Sequence, residues 1–162
     1  MFVIPVLAVA MFSSCLYKGI KEGQTYQEEM VYLSIYLRDI ESQGYDVDTT
    51  ELGVFYYVRE IGDGIYPKID DTLTIKYVGY LINGDRFYPP GDVTETVEVS
   101  YVLGQEDAIK GWNDGLKVIR KGSTVELIIP SPLGFGSKWN GDIPPNNTLV
   151  YVITMVDIKQ KK

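Results

Sequence analysis

Residues 103–121, LGQEDAIKGWNDGLKVIRK, constrain the fold most, because they predict one short helix with a defined apolar face. Glu106 and Asp107 stand where this helix would begin, and acidic side chains there can cap free N–H groups and face the positive end of the helix dipole. Apolar residues then recur at helical spacing and would share one face: Ala108, Ile109, Trp112 and Leu116. We expect the rest of the chain to fold around this helix.

Two glycines within the predicted helix indicate that another element comes close to it. Gly111 lies beside Trp112, and Gly115 follows one turn later. A glycine inside a helix costs about 0.5–1 kcal/mol relative to alanine, so two of them in a short helix need a packing reason. We expect the helix to lie across a curved sheet, with the Trp112 indole as the floor of an apolar pocket.

Runs rich in β-branched and aromatic residues predict the strands of that sheet. They are residues 54–61, 72–81, 86–88, 97–103, 123–129 and 148–158. Asn83 and Gly84 form a hairpin signal between the second and third runs. A loop rich in glycine and proline, residues 130–147, separates the last two runs and has the composition of a functional loop. The pattern predicts an α+β fold in which about five antiparallel strands wrap on the short helix.

An N-terminal helical extension is predicted for residues 26–43. The apolar residues of this helix form one stripe: Met30, Leu33, Leu37 and Ile40. Charged residues, among them Glu28 and Glu29, occupy its other faces. Gly44 is a natural C-terminal stop, and residues 45–51 form a polar linker. We expect the stripe to pack on the following domain; a dimer contact is the alternative.

Composition narrows the chemistry that is available to this chain. Its 162 residues carry a formal net charge of -7, and an acidic chain repels the phosphate backbone, so we expect no nucleic acid partner. It contains no histidine and one cysteine, which excludes Ser–His and Cys–His dyads, histidine-ligated metal sites and an intramolecular disulfide. The carboxylate pairs, Asp70 with Asp71 and Asp46 with Asp48, lack calcium-loop spacing and are predicted to be solvated turns. We predict no metal and no cofactor.

The N-terminal residues have a pattern that is typical of exported proteins. Residues 1–14 carry no charge, and their apolar part is too short to span a bilayer, which takes about 20 residues. This part fits the apolar region of a signal peptide, and small residues precede Cys15, as in a bacterial lipoprotein signal. We expect Cys15 to be the lipidated first residue, followed by a tether over residues 15–24, the helix and linker over 25–51, and the main domain over 52–162. An ordinary secretory signal, or a buried strand with a chance cysteine, is the alternative.

Four blocks of the sequence resemble the FK506-binding-protein (FKBP) family of peptidyl-prolyl cis-trans isomerases, in the order and with the spacing of that family. They are DDTLTIKYVGYLINGDRF, LGQEDAIKGWNDGLKVIRKG, LIIPSPLGFGS and IPPNNTLVYVITMVDIK. The resemblance covers about residues 52–160. It implies an FKBP-like sheet, peptidyl-prolyl isomerase activity and, as ligands, proline-containing polypeptides and FK506-like macrolides.

The resemblance also implies a site, residue by residue. Its catalytic positions would be Tyr77, Phe87, Trp112, Phe135 and Tyr151. Its substrate-binding positions would be Tyr88, Val99, Ala108, Ile109 and Ile143. Trp139, at the tip of the long loop, would add a contact for a polypeptide. Taken alone, each of the aromatic residues would be expected to pack in a core.

Two positions differ from the family pattern and predict reduced activity. Tyr88 stands where the family usually has an aspartate, and Phe135 stands where it has a tyrosine whose hydroxyl donates a hydrogen bond to a ligand carbonyl. Losing one hydrogen bond inside a pocket costs about 0.5–1.5 kcal/mol, so we expect a partial loss of activity.

An apolar site suits prolyl isomerisation. Rotation about the peptide bond meets a barrier of about 18–20 kcal/mol because it breaks amide resonance. The twisted amide has less charge separation than the planar one, so a dry apolar cup favours it, provided that the carbonyl oxygen is held. We predict a monomeric, envelope-anchored isomerase that assists the folding of exported proteins. The alternative is a chaperone-like module that uses the same cup to hold unfolded chains without useful turnover.

Overall fold

The structure, a computed structural model, describes residues 23–89, 96–105 and 108–162. Two helices, α1 (Tyr26–Ser42) and α2 (Lys110–Leu116), accompany one curved antiparallel sheet. Its strands are β1 (Asp48–Thr49), β2 (Phe55–Glu60), β3 (Thr72–Leu81), β4 (Arg86–Tyr88), β5 (Val97–Val102), β6 (Thr124–Ile129) and β7 (Leu149–Lys159). The predicted α+β fold is confirmed, but the sheet has seven strands rather than about five. The unpredicted β1 lies in the expected linker and is too short to show a periodicity.

Several sequence predictions lie outside the described residues. They are the signal over residues 1–14, lipidation at Cys15, the tether as far as residue 22 and the capping role of Glu106 and Asp107. Among the helices that the structure describes, none is long and apolar enough to cross a membrane.

Strand β3 lies at the centre of the sheet that carries the site. The strand order is β1-β2-β6-β7-β3-β4, and β5 also pairs with β3. On one side β3 pairs with β7 along its whole length. On its other side β5 pairs with the first part of β3, from Thr72 to Tyr77, and β4 pairs with its last part at Gly79 and Tyr80. The last part of β3, the strand β4 and the first residues of β5 and β7 therefore lie in one region of the sheet.

One face of the sheet is covered by α2. Paired residues of antiparallel strands point to the same side, so Tyr151 of β7 shares its face with Leu127 of β6. A Cβ atom added to Gly115 would lie 2.4 Å from Leu127 Cδ1. A Cβ atom added to Gly111 would lie 2.4 Å from Ile129 Cγ2. Both glycines are therefore required by the close approach of helix and sheet, and the predicted packing of the helix across the sheet is confirmed.

Helix α2 begins later than its sequence predicts. Ile109 is its N-cap residue and makes no side-chain capping hydrogen bond, so the start predicted at residues 106–107 is too early. Asn113, inside the helix, holds the preceding chain: its Oδ1 accepts from the Gly104 backbone N (2.9 Å), and its Nδ2 donates to the Gln105 backbone O (2.8 Å). The chain before α2 is thus fixed by a side chain of the helix itself.

The opposite face of the sheet is covered by α1. Glu126 of β6 points to this face and accepts a hydrogen bond from the Tyr36 hydroxyl at 2.7 Å. The predicted apolar stripe of α1 lies in the core or packs against it: Met30, Leu33, Leu37 and Ile40. The prediction that this stripe packs on the following domain is confirmed, and the helix ends at Ser42, one residue before its predicted end.

A buried carboxylate attaches α1 to the long loop. Glu29, which was predicted to lie on another face than the apolar stripe, is fully buried and shares the face of Leu33 and Tyr36. Its Oε1 accepts from Ser131 N and Thr148 Oγ1, both at 2.7 Å, and its Oε2 accepts from Ser131 Oγ at 2.5 Å. Gln24, which was predicted to end the tether, donates to Asn146 O at 2.7 Å and accepts from Asn146 Nδ2 at 2.5 Å. The N-terminal helix is therefore packed on the loop and the sheet.

Two further buried carboxylates hold turns in place. Asp71 is 3% exposed and accepts hydrogen bonds from Lys68 N (2.8 Å) and Lys161 N (3.0 Å). The prediction of a solvated Asp71 is wrong, because the partner that covers it comes from the far C-terminal end of the chain. Asp114 of α2 is also 3% exposed and accepts from the Thr50 hydroxyl, which attaches the expected linker to this helix.

Candidate active site

Trp112 of α2 lies among aromatic rings that we call the aromatic cluster. The cluster consists of Tyr77, Phe87, Tyr88, Tyr101, Trp112 and Tyr151. From Trp112, the ring-centroid distances are 4.9 Å to Tyr151, 5.0 Å to Tyr77 and 6.5 Å to Tyr101, and all three contacts are edge-on. Edge-on pairs of this kind are favoured by the ring quadrupoles. Trp112 is 8% exposed, so the indole is almost enclosed by these rings.

Gly79 makes room for two rings of the cluster. It pairs with Tyr151 of β7 and with Tyr88 of β4. A Cβ at this position would lie 2.6 Å from Phe87 Cζ and 3.0 Å from Tyr151 Cε1. Because the side chain is absent, Phe87 and Tyr151 meet over the strand with their ring centroids 5.5 Å apart and their planes at 89°. Sequence analysis did not single out this glycine.

Tyr88 packs against Tyr77 rather than leaving the cluster open. The two rings are stacked, with a centroid distance of 4.8 Å and an interplanar angle of 8°. Burial raises the pKa of Tyr77 above the ordinary tyrosine value, and the neighbouring Tyr88 hydroxyl adds to the shift. Burial alone raises the pKa of Tyr151. Both phenols are therefore neutral near pH 7 and can donate hydrogen bonds.

The long loop carries a second group of predicted site residues. Ile143 is 6% exposed and belongs to the core, and Phe135 packs against that core while remaining half-buried. The loop tip is closed by paired backbone hydrogen bonds between Asn140 and Ile143, each 3.0 Å long. Trp139, at this tip, is 59% exposed and is separate from the packed residues. Its predicted contact with a polypeptide stays a prediction.

The remaining predicted site residues lie around the start of α2 and on β5. Ala108, Ile109 and Val99 are partly buried against the same core as the cluster. Val99 pairs with Ile75 of β3 and therefore points to the face that α2 covers. Of the predicted site residues, the structure brings Tyr77, Phe87, Tyr88, Trp112 and Tyr151 into ring contact with one another. Their roles toward a ligand remain predictions.

Tyr101 belongs to the cluster but was missed by the sequence analysis. It contacts the Trp112 ring, and its hydroxyl donates to Asn113 Oδ1 at 2.8 Å. Asn113 also holds the chain before α2, so Tyr101 links β5 to the start of this helix. The signal that could have found it is the alternation of Val97, Val99 and Tyr101 on one face of β5.

Surface grooves of the described residues run along α1. Two shallow grooves of about 260 and 230 Å³ run along α1, the first lined by Ile35, Arg38, Asp39 and Ser42 and the second by Gln27, Glu28, Val31 and Tyr32. The rings over Trp112 are packed on one another, so the predicted apolar pocket stays a prediction. Within the described part of the chain, no group of three acidic or cysteine side chains is placed to hold a metal ion.

Comparisons with known proteins agree on one family. A family model described as "FKBP-type peptidyl-prolyl cis-trans isomerase" matches residues 64–156. The FKBP-type peptidyl-prolyl cis-trans isomerase FkpA of Escherichia coli K12 is 39% identical over 113 residues, which cover 70% of this chain and 40% of that protein. The protein named outer membrane protein MIP of Legionella longbeachae is 33% identical over 109 residues, which cover 67% of this chain and 45% of that protein. The chain thus spans less than half the length of these relatives.

Solved structures show the same fold. The crystal structure of Escherichia coli FkpA matches with a TM-score of 0.63 and 33% identity, over 82% of this chain and 62% of that one. A peptidyl-prolyl cis-trans isomerase from Pseudomonas syringae matches with a TM-score of 0.65 over 86% of this chain and 98% of that one. Its 22% identity makes it a comparison of fold alone.

Proposed function

The chain belongs to the FKBP-type peptidyl-prolyl cis-trans isomerase family, and we propose that it catalyses the cis–trans isomerisation of Xaa-Pro peptide bonds at the aromatic cluster. One observation carries this proposal: Trp112 is enclosed by the edges of Tyr77, Tyr101 and Tyr151, inside the segment that the family model matches. Such a group of rings offers an apolar surface with a few neutral phenols at its edges.

The proposed mechanism needs only desolvation and a held carbonyl. Trp112 forms the floor under the proline ring, and the walls are Tyr77, Phe87, Phe135, Ile143 and Tyr151. The backbone of Ile109 is the proposed contact for the bound ligand. Compared with water, this apolar environment lowers the free energy of the twisted amide, which has lost its resonance, relative to that of the planar amide. The neutral phenols supply donors without a proton transfer, so the reaction needs no histidine.

The proposed substrates are proline-containing polypeptides of exported proteins, with FK506-like macrolides as competing ligands. We propose that the protein is anchored in the bacterial cell envelope by a lipid on Cys15, facing the periplasm or the exterior, and acts as a monomer. The relative named outer membrane protein MIP supports an envelope location. Replacing the thiol in Cys15→Ser should abolish fatty-acid labelling and release the protein from the membrane fraction. Membrane association without any labelling of the unmodified protein would contradict the anchor.

A protease-coupled assay with a short Xaa-Pro peptide tests the activity. We expect the protein to accelerate isomerisation above the uncatalysed rate, and an FK506-like macrolide to suppress that acceleration. The peptide and the macrolide would compete for one apolar surface, so the inhibition should be competitive. An isomerisation rate equal to the uncatalysed one, measured on protein shown to be folded by circular dichroism, would contradict the proposal.

A second candidate function is polypeptide binding without useful turnover. It is motivated by Phe135 and Tyr88, which lack the hydroxyl and the carboxylate that the family resemblance implies at these positions. Fluorescence separates the two candidates in a Trp139→Phe background, where Trp112 is the single indole. A proline peptide that shifts the Trp112 emission in a protein without isomerase activity would favour the binding module. A shift together with catalysis would favour the isomerase.

A further inference from the structure

Tyr151 differs from the buried Tyr36 and Tyr57, and from the partly buried Tyr101, in the hydrogen bonding of its hydroxyl group within the described residues. Tyr36 donates to Glu126 Oε1 at 2.7 Å and Tyr57 to Glu126 Oε2 at 3.0 Å. Tyr101 donates to Asn113 Oδ1 at 2.8 Å. Tyr151 is 7% exposed, yet its hydroxyl makes no hydrogen bond to any residue in the ranges 23–89, 96–105 and 108–162. The hydroxyl oxygen itself is not fully enclosed, so it is open to water or to a ligand.

The position of Tyr151 points to a ligand as the missing partner. Its ring contacts Trp112 at 4.9 Å, Phe87 at 5.5 Å and Tyr77 at 6.0 Å, all edge-on. It therefore stands among the three rings that the proposed function uses as floor and walls. Burial raises the pKa of Tyr151, so the hydroxyl keeps its proton near neutral pH and can serve as a donor.

We propose that the Tyr151 hydroxyl donates a hydrogen bond to a backbone carbonyl oxygen of the bound proline-containing polypeptide. This inference rests on the proposed function and adds to it a donor for the carbonyl that the mechanism requires to be held. Phe135 has no hydroxyl and cannot supply that donor. The Tyr77 hydroxyl interacts with Tyr88, and the Tyr101 hydroxyl is engaged by Asn113. The Tyr151 hydroxyl thus makes no hydrogen bond within the described residues that would have to break before it could donate to a ligand.

The substitution Tyr151→Phe removes this one oxygen and keeps the ring. We expect kcat/KM for a short Xaa-Pro peptide to fall about two- to tenfold, as for the loss of one hydrogen bond. The midpoint of thermal unfolding should stay the same or rise slightly, because the hydroxyl has no protein partner to lose. A structural role would instead lower that midpoint and leave kcat/KM unchanged.

A matched control removes a tyrosine hydroxyl from the other face of the same sheet. Tyr80 of β3 pairs with Val150, one residue along β7 from Tyr151, and so points away from α2. Tyr80→Phe should leave kcat/KM unchanged. The rescue variant Phe135→Tyr should raise kcat/KM more in the Tyr151→Phe background than in the unmodified protein, because it replaces the donor that Tyr151→Phe removes.

The outcomes separate this inference from the proposed function. An active protein in which Tyr151→Phe has the same kcat/KM as the unmodified protein overturns the inference and leaves the isomerase intact. An unmodified protein with no isomerase activity overturns the proposed function, and the inference with it. A two- to tenfold loss at an unchanged unfolding midpoint, with Tyr80→Phe unaffected, supports the Tyr151 hydroxyl as the substrate's hydrogen-bond donor.

Discussion

The α1 face of the sheet and the aromatic cluster on its α2 face treat buried polar groups in opposite ways. On the α1 face, Glu29 is fully buried and Glu126 is 2% exposed, and both are surrounded by donors from the protein. Glu126 accepts from Tyr36 at 2.7 Å and from Tyr57 at 3.0 Å, and it also pairs with Arg59. On the α2 face, the rings of the aromatic cluster enclose Trp112 with few hydrogen bonds among them, and the Tyr151 hydroxyl has no partner in the described chain.

This difference indicates which face stabilises the fold and which face offers a surface for a bound peptide. A carboxylate whose oxygens are already engaged has no capacity left for a ligand, and removing it leaves several donors unpaired. An apolar surface with an unpaired hydroxyl loses little stability when that hydroxyl is removed, and it keeps a donor for a substrate. We therefore expect substitutions on the α1 face to act on stability and substitutions on the α2 face to act on peptide binding and turnover.

The largest expected effect on stability is that of Glu29→Ala. It removes the acceptor of Ser131 N, Ser131 Oγ and Thr148 Oγ1, which lie at the two ends of the long loop. We expect the free energy of unfolding to fall by about 2–4 kcal/mol, measured by urea denaturation. Glu29→Gln keeps one acceptor oxygen and should cost less. A Glu29→Ala protein that kept its stability but lost isomerase activity would break the comparison, because it would place Glu29 in the functional region.

A smaller effect is expected for Tyr36→Phe on the α1 face. Burial, with the nearby Glu126 carboxylate, raises the pKa of Tyr36, so the phenol is neutral and donates to that carboxylate. Hydrogen bonds to charged groups contribute about 1.5–3 kcal/mol, and the unfolding free energy should fall by that amount. The matched substitution on the other face is Tyr151→Phe, for which no loss is expected. Equal losses for the two variants would remove the distinction between the faces.

The smallest expected effect is a gain of activity in Phe135→Tyr. The substitution adds one donor to the half-buried loop residue that packs against the core. If the new hydroxyl reaches the substrate carbonyl, kcat/KM should rise by about tenfold or less, since about 1.4 kcal/mol corresponds to a factor of ten. The unfolding midpoint should hardly change. Tyr88→Asp is expected to help less, because it removes the ring that stacks on Tyr77. A Phe135→Tyr protein with unchanged kcat/KM would show that the added donor is not used.

The elements of this fold could be predicted from the sequence because their signals are local. The stripe of α1, the hairpin at Asn83 and Gly84, and the helical glycines each depend on spacing within a few residues. The two-residue strand β1 is too short to produce such a signal. The sequence also predicts that Tyr77, Trp112 and Tyr151 lie together, because they stand in blocks that resemble one family.

The buried polar groups could not be predicted, because their partners are distant in sequence. Glu29 bonds to Ser131, 102 residues away, and to Thr148, 119 residues away. The prediction that Glu29 lies away from the apolar stripe is wrong, and its spacing from Leu33 and Tyr36 already places it on the buried face of α1. The partners of its carboxylate have no local signal. Asp71 is likewise covered by the backbone of Lys161, 90 residues away. The stacking of Tyr88 on Tyr77 depends on how β4 pairs with β3, which is also a tertiary property.

We propose that the aromatic cluster around Trp112 is a catalytic surface and not only a part of the hydrophobic core. The most direct measurement is kcat/KM for a short Xaa-Pro peptide, determined for the unmodified protein and for Trp112→Leu at a temperature where circular dichroism shows both to be folded. We predict catalysis by the unmodified protein and a loss of more than about tenfold in Trp112→Leu, a larger change in free energy than the accompanying loss of stability. A folded Trp112→Leu protein that catalyses as well as the unmodified one would contradict the claim.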